Sequence, residues 1–334
     1  MTMLNKPISF TASELTEAVN KLPAMPLRMK GIFKPKGVRT TTVTIDIKQG
    51  RLVLVENQDR SAQPKHMAGR GSKRSAVNLE CAHLPLSDTV RPEDIQDLRG
   101  FGTDQPVGPE TVINDKMQDL KNSIDMTVEF HRVGAAKGIV YDADGTTELH
   151  NLFEVFKVPQ KKMDIAFPTG AQKFNPILNA IMAAKRYAEQ KLGGIPVSRF
   201  EAMIGSEFYD KLTTHELVRV AYEMWLANQQ DWGDNDYRKR GFTYGGVTWI
   251  ETSEIINGRA LVEPDKGHMY PVGLDCFMEY HAPANWIDAA NSIGLPFYAQ
   301  MEPLPMKRGH NLEVQSSPLC LCTVPEALVE LAAK

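Results

Sequence analysis

Residues 108–156 constrain the fold more than any other stretch of this chain. Gly108-Pro109-Glu110 opens a helix. Proline suits the first helical position, where no backbone N–H is needed, and a glutamate there complements the positive end of the helix dipole. Behind it Ile113, Met117, Leu120, Ile124 and Val128 recur at three- and four-residue steps, which draws one apolar stripe along a helix. Asn114, Asp115, Gln118, Lys121, Asn122 and Asp125 lie off that stripe. Gly134 reads as the stop, so the spacing predicts a helix over 109–133, ~37 Å long at ~1.5 Å per residue. Residues 138–149 follow at once as strand, Asp144-Gly145 turn and strand.

At 334 residues the chain is long enough for a large core and two domains. Its hydrophobic content of 42% and charged content of 24% are those of an ordinary folded protein. A net charge of −3 argues against a dedicated nucleic-acid binder, which is usually basic. Cys81, Cys276, Cys320 and Cys322 are too scattered for a disulfide framework, so a reducing compartment is expected. In a strand, Cys320 and Cys322 point to one face, a core pair. No run approaches the ~18–20 apolar residues of a membrane span, and the N-terminus has no signal-peptide core; the chain reads as cytosolic in type.

Residues 1–26 read as an arm. Thr11 and Glu14 have capping-box spacing, with Phe10 and Leu15 as the hydrophobic staple. So short a helix between Pro7 and Pro23 buries little by itself and needs a surface to dock on. Thr40 to Ile47 alternates and is β-branched, and Arg51 to Val55 continues it. Residues 57–78 then change character. Arg60, Lys65, Arg70, Lys73 and Arg74 stand against Asp59 alone, with no aromatic residue and too little apolar surface for a core. Val77 to Leu84 returns as a strand, so the whole reads as a long two-stranded arm with a basic tip. Residues 157–172 are polar and proline-bounded and are expected to hold a domain boundary. Beyond them, 176–191 is an amphipathic helix and 200–204 a strand. Ser206 caps a helix over 207–212, Thr213 and Glu216 form a second capping box opening a helix to about 228, and 242–250 is a Gly-Gly hairpin. Residues 314–323 and 327–331 are a returning strand and an apolar tail.

Chemistry is sparse. Gly69-Arg-Gly-Ser-Lys73 lacks the Gly-Lys-Ser/Thr ending of a phosphate loop. Asp142-Ala-Asp144-Gly145 resembles half of a calcium loop, but its first ligand position is Val140. His215-Glu216 lacks the second histidine of a zinc helix, and the acidic run at 231–236 reads as a solvated loop. No catalytic, cofactor or metal constellation emerges. A large chain of this kind, with an arm and a basic loop that both need partner surface, points to a structural subunit. The helix over 109–133 offers that surface: Asp115, Asp119, Asp125 and Glu129 stand on it for the loop of a neighbour. Such a contact is head-to-tail and closes into rings or shells.

The order of parts resembles the Hong Kong 97-type capsid fold, an α+β architecture, and within it the tailed-phage major capsid proteins typified by the lambda head protein E. The residues that carry the resemblance are His83-Leu-Pro85, Pro92-Glu-Asp-Ile-Gln-Asp-Leu-Arg-Gly-Phe-Gly102, the stretch 127–145 with Lys137-Gly-Ile-Val-Tyr-Asp-Ala-Asp-Gly145, the strand–helix pair at 199–212, and Gln315-Ser-Ser-Pro-Leu-Cys-Leu-Cys322. Their order over nearly the whole chain carries the likeness, no single motif being decisive.

The resemblance implies an N-terminal arm with lead-in strand at 1–48 and an extended β-hairpin loop at 49–84. It implies a peripheral domain at 85–165 with its spine helix at 109–133, an axial domain at 166–300, and a return to the peripheral domain at 301–334. It implies self-assembly as hexamers and pentamers into an icosahedral shell on a scaffolding protein, with a portal at one vertex. Non-specific contact with packaged double-stranded DNA and, in lambda-like relatives, a decoration protein complete the set; no membrane and no cofactor are involved. Lys65 and Lys73 lie in the loop, but nothing in the sequence assigns them the Lys-Asn cross-link of some relatives. Rival readings are an encapsulin-like shell housing cargo enzymes, a minor head protein, and a nucleotide- or metal-dependent enzyme.

Overall fold

The computed structural model describes residues 11–23, 25, 27–47, 75–96, 108–170, 172–193, 195–228, 236–256 and 258–334. In chain order the strands are β1 (Lys34–Gly37), β2 (Thr42–Ile47), β3 (Ser75–Glu80), β4 (Leu84–Val90), β5 (Ile139–Tyr141), β6 (Glu148–Asn151), β7 (Lys161–Ile165), β8 (Arg199–Ile204), β9 (Phe242–Tyr244), β10 (Val247–Glu251), β11 (Ile255–Ile256), β12 (Arg259–Ala260), β13 (Lys266–Val272), β14 (Phe277–His281), β15 (Tyr298–Pro303), β16 (His310–Ser316), β17 (Pro318–Cys322) and β18 (Val329–Ala333). The helices are α1 (Ala12–Lys21), α2 (Pro92–Ile95), α3 (Pro109–Lys137), α4 (Leu152–Val155), α5 (Pro176–Lys191), α6 (Ser206–Thr214), α7 (Glu216–Ala227) and α8 (Tyr237–Arg240).

The chain forms two compact units. One comprises 1–43, 78–132 and 278–320, the other 44–77, 133–277 and 321–334. These bounds differ from those expected from the sequence: residues 278–300 belong with the first unit, and β18 belongs with the second.

The first unit contains the antiparallel sheet β15-β16-β4 and the sheet order β1-β14-β17. In the former Val314 faces both Ala299 and Leu86 in register. Helix α1 lies on β15. Its capping box is formed as the spacing predicts, Glu14 N donating to Thr11 Oγ1 at 3.3 Å and Thr11 N to Glu14 Oε2 at 2.9 Å. The arm that needed a surface finds one in its own chain: Thr16 Oγ1 accepts from Ala299 N at 3.2 Å, and Asn20 Nδ2 donates to Phe297 O at 2.8 Å.

The second unit is built on the six-stranded sheet β7-β18-β13-β8-β10-β9. Ile177, Ile181, Ala184 and Ala188 of α5, Phe200 and Ala202 of β8, Phe208 and Leu212 of α6, and Trp249 of β10 share one core cluster there. Residues 157–172, expected as a boundary, supply strand β7, parallel to β18 with Met163 opposite Leu331. The strand was hidden because Lys161, Met163 and Ile165 alternate with exposed Lys162 and Asp164, so its inward face carries only two apolar residues.

Helix ends bring three further corrections. α3 passes through Gly134 and runs 29 residues to Lys137, ~43 Å at ~1.5 Å per residue. The stop is Gly138, at φ 93°, where glycine alone is at ease. Gly134 serves close approach instead: a Cβ there would lie 2.8 Å from Ile139 O and 3.0 Å from Val140 Cα. Gly205, not Ser206, is the N-cap of α6. Thr213 turns its hydroxyl back to Tyr209 O at 2.9 Å, and His215 caps α7 by accepting from Leu217 N at Nδ1, 3.2 Å. With Nε2 2.9 Å from Pro168 O, that bond assigns the neutral imidazole its Nε2–H tautomer.

The 138–151 hairpin forms as expected. Asp144 accepts from the backbone N–H groups of Thr146 (2.8 Å) and Thr147 (2.9 Å). Those donors, with both threonine hydroxyls, hold its carboxyl far below the ordinary carboxylate range. This is a turn-closing aspartate with its lone pairs committed.

Candidate assembly surface

Helix α3 was expected to show an apolar stripe to its own chain and an acidic face to a neighbour. The stripe is present: Ile113, Met117, Leu120, Ile124 and Val128 are all buried. Of the acidic residues, Asp115 and Asp119 are exposed. Asp125 and Glu129 are not; they are 1% and 7% exposed. Arg60, Lys65, Arg70, Lys73 and Arg74 lie outside the described residues.

Asp125 and Glu129 are turned inward because cations and backbone donors of distant segments meet them there. Glu129 accepts from Met29 N at 2.6 Å and from Arg132 Nη1 at 3.0 Å. Arg132 in turn makes a two-pronged pair with Glu279 on β14, at 2.9 and 3.0 Å. Lys30 Nζ stands 3.7 Å from Asp125 Oδ1. Lys121, 2% exposed, donates to Leu22 O at 2.6 Å and lies 5.4 Å from the Phe297 ring centroid. The second half of α3 is thus buried by charge pairing as well as by its stripe.

Burial opposes a charge on Arg132, but the Glu279 and Glu129 carboxylates outweigh it and hold the guanidinium above its ordinary value. His281, 3.3 Å from Glu279, goes the other way: burial depresses it although that carboxylate favours its cation. A buried ion pair is a weak source of net stability, because desolvating both charges offsets their attraction. Its strength is in geometry, since Arg132 ties α3 to β14 through a planar fork that a lysine cannot reproduce. Sequence reading missed Arg132 as a partner of Glu129, although their spacing of three puts them on one helix face. Glu279, about 150 positions away, left no local signal.

A cavity of about 200 Å³ opens beside this network, lined by Lys30, Asp125, Arg132, Glu279, His281 and Phe297 among others. Among the described residues Asp125 Oδ2 and His281 Nδ1 have no hydrogen-bond partner; both residues line this cavity, whose size admits water. Among the described residues no group of three or more His, Cys, Asp or Glu is arranged to hold a metal ion. No described helix is long and apolar enough to cross a membrane. Cys320 and Cys322 are buried in β17, and burial raises both thiols.

The surface of α3 that remains for recognition among the described residues is its exposed side from Asp115 to Met126. At 100° per residue, Asp115, Asp119, Asn122 and Met126 fall within an arc of ~60°, one straight stripe that begins acidic and ends at Met126, 36% exposed.

The family model described as "Phage major capsid protein E" matches residues 11–333. The major capsid protein of Salmonella phage Felix O1 (isolate Felix O1-VT1) is 25% identical over 364 aligned residues, covering 97% of this chain and 96% of that protein. The major capsid protein of Pseudomonas phage KPP10 is 24% identical over 328, covering 92% of each. Among solved structures, one assigned as the capsid protein of a prophage of E. coli CFT073 superposes with a TM-score of 0.61 at 15% identity, covering 98% of this chain and 100% of that one. That likeness concerns the fold alone, and it agrees with the α+β capsid architecture expected from the sequence. With the sequence match running almost from end to end, the chain belongs to the phage major capsid protein E family and is a structural component of the virion capsid.

Proposed function

We propose that this chain is the repeating subunit of an icosahedral phage head, assembling as hexamers and pentamers around packaged double-stranded DNA. The observation that carries the reading is the family match over residues 11–333, nearly the whole chain. The role is mechanical rather than catalytic, and the buried Glu129 carboxylate of α3 fits it, being engaged by Met29 N and Arg132. In this reading a scaffolding protein templates assembly, a portal occupies one vertex, and contact with DNA is non-specific. A decoration protein is a further partner of the same kind. A net charge of −3 keeps free subunits from condensing on nucleic acid.

Within the shell, residues 49–84 lap a neighbouring subunit, and Arg60, Lys65, Arg70, Lys73 and Arg74 meet the exposed Asp115 and Asp119 of its α3. Asp125 and Glu129 are not part of that contact, since both are buried in their own subunit. Negative-stain microscopy of the overexpressed protein tests the main reading, with shells, tubes or capsomers expected; a monodisperse monomer under all assembly conditions overturns it. Nuclease-resistant DNA in native particles is expected in place of an enzyme cargo. For the loop, Arg70→Glu/Lys73→Glu/Arg74→Glu is expected to leave the subunit folded and abolish shells, and normal particles from that variant sink the contact.

A further inference from the structure

Residues 286–295 of the first unit present three aliphatic side chains to solvent: Ile287 is 95% exposed, Ile293 59% and Leu295 42%. Single exposed hydrophobics are ordinary, but a cluster in one short segment marks a recognition surface. The segment is also rigid. Trp286 and Tyr298 meet edge to face at 6.3 Å over a small core with Ala284 and Ala289. Leu295 N donates to Tyr298 Oη at 3.0 Å, Tyr298 Oη donates to Ile293 O at 3.3 Å, and Ser292 Oγ donates to Ala289 O at 2.7 Å. Gly294 N donates to Val38 O at 2.8 Å, and a Cβ on Gly294 would lie 1.9 Å from His281 O. The loop is therefore clamped against β1 and β14, with its apolar tips held outward. A preorganised apolar tip loses little conformational freedom on binding, which is what an interface anchor needs.

Its surroundings indicate the partner. The loop abuts β1, where a Cβ on Gly37 would lie 2.7 Å from Ile293 Cγ2. All four β1 residues, Lys34 and Lys36 among them, are exposed, and Arg39 follows. The knob is thus apolar with a basic flank. The complementary surface on this same unit is the α3 stripe, acidic at Asp115 and Asp119 and apolar at Met126. Neither surface is covered by the described residues of its own chain, and the family assembles from many copies of one subunit.

We propose that the loop at 286–295 docks on the α3 stripe of a second copy of this chain, with Ile287 and Ile293 against Met126 and the basic flank toward Asp115 and Asp119. The stripe spans ~16 Å from Asp115 to Met126 at ~1.5 Å per residue, long enough to take the apolar tip at one end and the basic flank at the other; the basic loop then shares Asp115 and Asp119 with that flank. Contacts of this kind repeat around a shell, so each can be weak while the assembly is strong.

The inference rests on the shell reading, and the experiment separates the two. Wild-type protein must first give shells; if it does not, the shell reading itself fails. In that same preparation Ile287→Asp/Ile293→Asp is expected to keep the wild-type circular dichroism and melting temperature, because both side chains are exposed. Its particle yield should fall at least about tenfold, the scale of losing one interface anchor. Met306→Asp, 85% exposed and outside the knob, should leave the yield unchanged. Wild-type yield from the double variant overturns the proposal while leaving the shell reading intact. The partner surface is tested by Ile287→Cys with Met126→Cys in otherwise wild-type shells. Oxidation should then give a covalent ladder on a non-reducing gel that neither single variant gives, and no ladder overturns the assignment to α3.

Discussion

Arg132→Met replaces a buried guanidinium by an unbranched apolar chain of similar reach. The substitution removes three hydrogen bonds, two to Glu279 and one to Glu129, and leaves both carboxylates about 5–7% exposed without their cation. Breaking a buried pair from one side costs about 3–5 kcal/mol, chiefly because the remaining charge is neither solvated nor neutralised. Glu129 keeps Met29 N, so most of that cost falls on Glu279. Adding Glu279→Leu to Arg132→Met should therefore restore at least about 2 kcal/mol by removing the orphaned charge itself. The assay is urea unfolding of the unassembled subunit at pH 7, read as midpoint at unchanged slope. With a slope of about 3 kcal/mol per molar, the single variant shifts the midpoint down by about 1–1.7 M. A single variant within about 1 kcal/mol of wild type, or a double variant less stable than the single, refutes the account of the network as a buried charge pair that depends on both partners.

Two further outcomes follow from the same structure. Gly134→Ala should lower stability by about 1–3 kcal/mol, because the added methyl meets Ile139 O at 2.8 Å and helix propensity returns only about 1 kcal/mol; a raised melting temperature contradicts it. Burial holds His268 and His281 below the ordinary imidazole value, against the pull of Glu263 on the first and Glu279 on the second. The unfolded chain therefore takes up protons below about pH 6.5 that the folded chain refuses, so stability is complete above that pH and declines beneath it. Each histidine contributes a slope of up to about 1.4 kcal/mol per pH unit, and a melting temperature flat from pH 7.5 to 5.5 rules this out.

Local signals carried much of the fold. The Thr11–Glu14 capping box, the α5 stripe and the Asp-Gly and Gly-Gly hairpins were all legible, because each depends on residues within a few positions of one another, and the order of such local signals along the chain carried the resemblance to a capsid protein. What failed depends on distance. Gly134 and Gly138 are four apart and carry the same stop signal; only the approach of β5 to the helix decides between them. Lys121, Asp125 and Glu129 were expected off the buried stripe, yet their partners at Leu22, Lys30 and Met29 lie far along the chain, as does Glu279, the partner of Arg132. Thr213 and His215 compete for one helix start, and the imidazole wins through a carbonyl at Pro168. Of the expected contact residues, Asp115 and Asp119 keep their place on the surface, while Ile287 and Ile293 fall on no apolar period that would single them out.

Strand β18 lies between β7 and β13, joined to the first in parallel and the second in antiparallel register. Its residues are made long after those of its neighbours: β13 begins at Lys266 and β18 at Val329, a gap of several seconds at about 5–20 residues per second. Until β18 emerges, the sheet of the second unit is split, with β7 and β13 each showing a bare edge. A chain cut short by premature termination before this strand keeps that gap for good. The last-made piece of the sheet thus decides whether the sheet is continuous, and a subunit ending before Val329 would carry two unpaired strand edges.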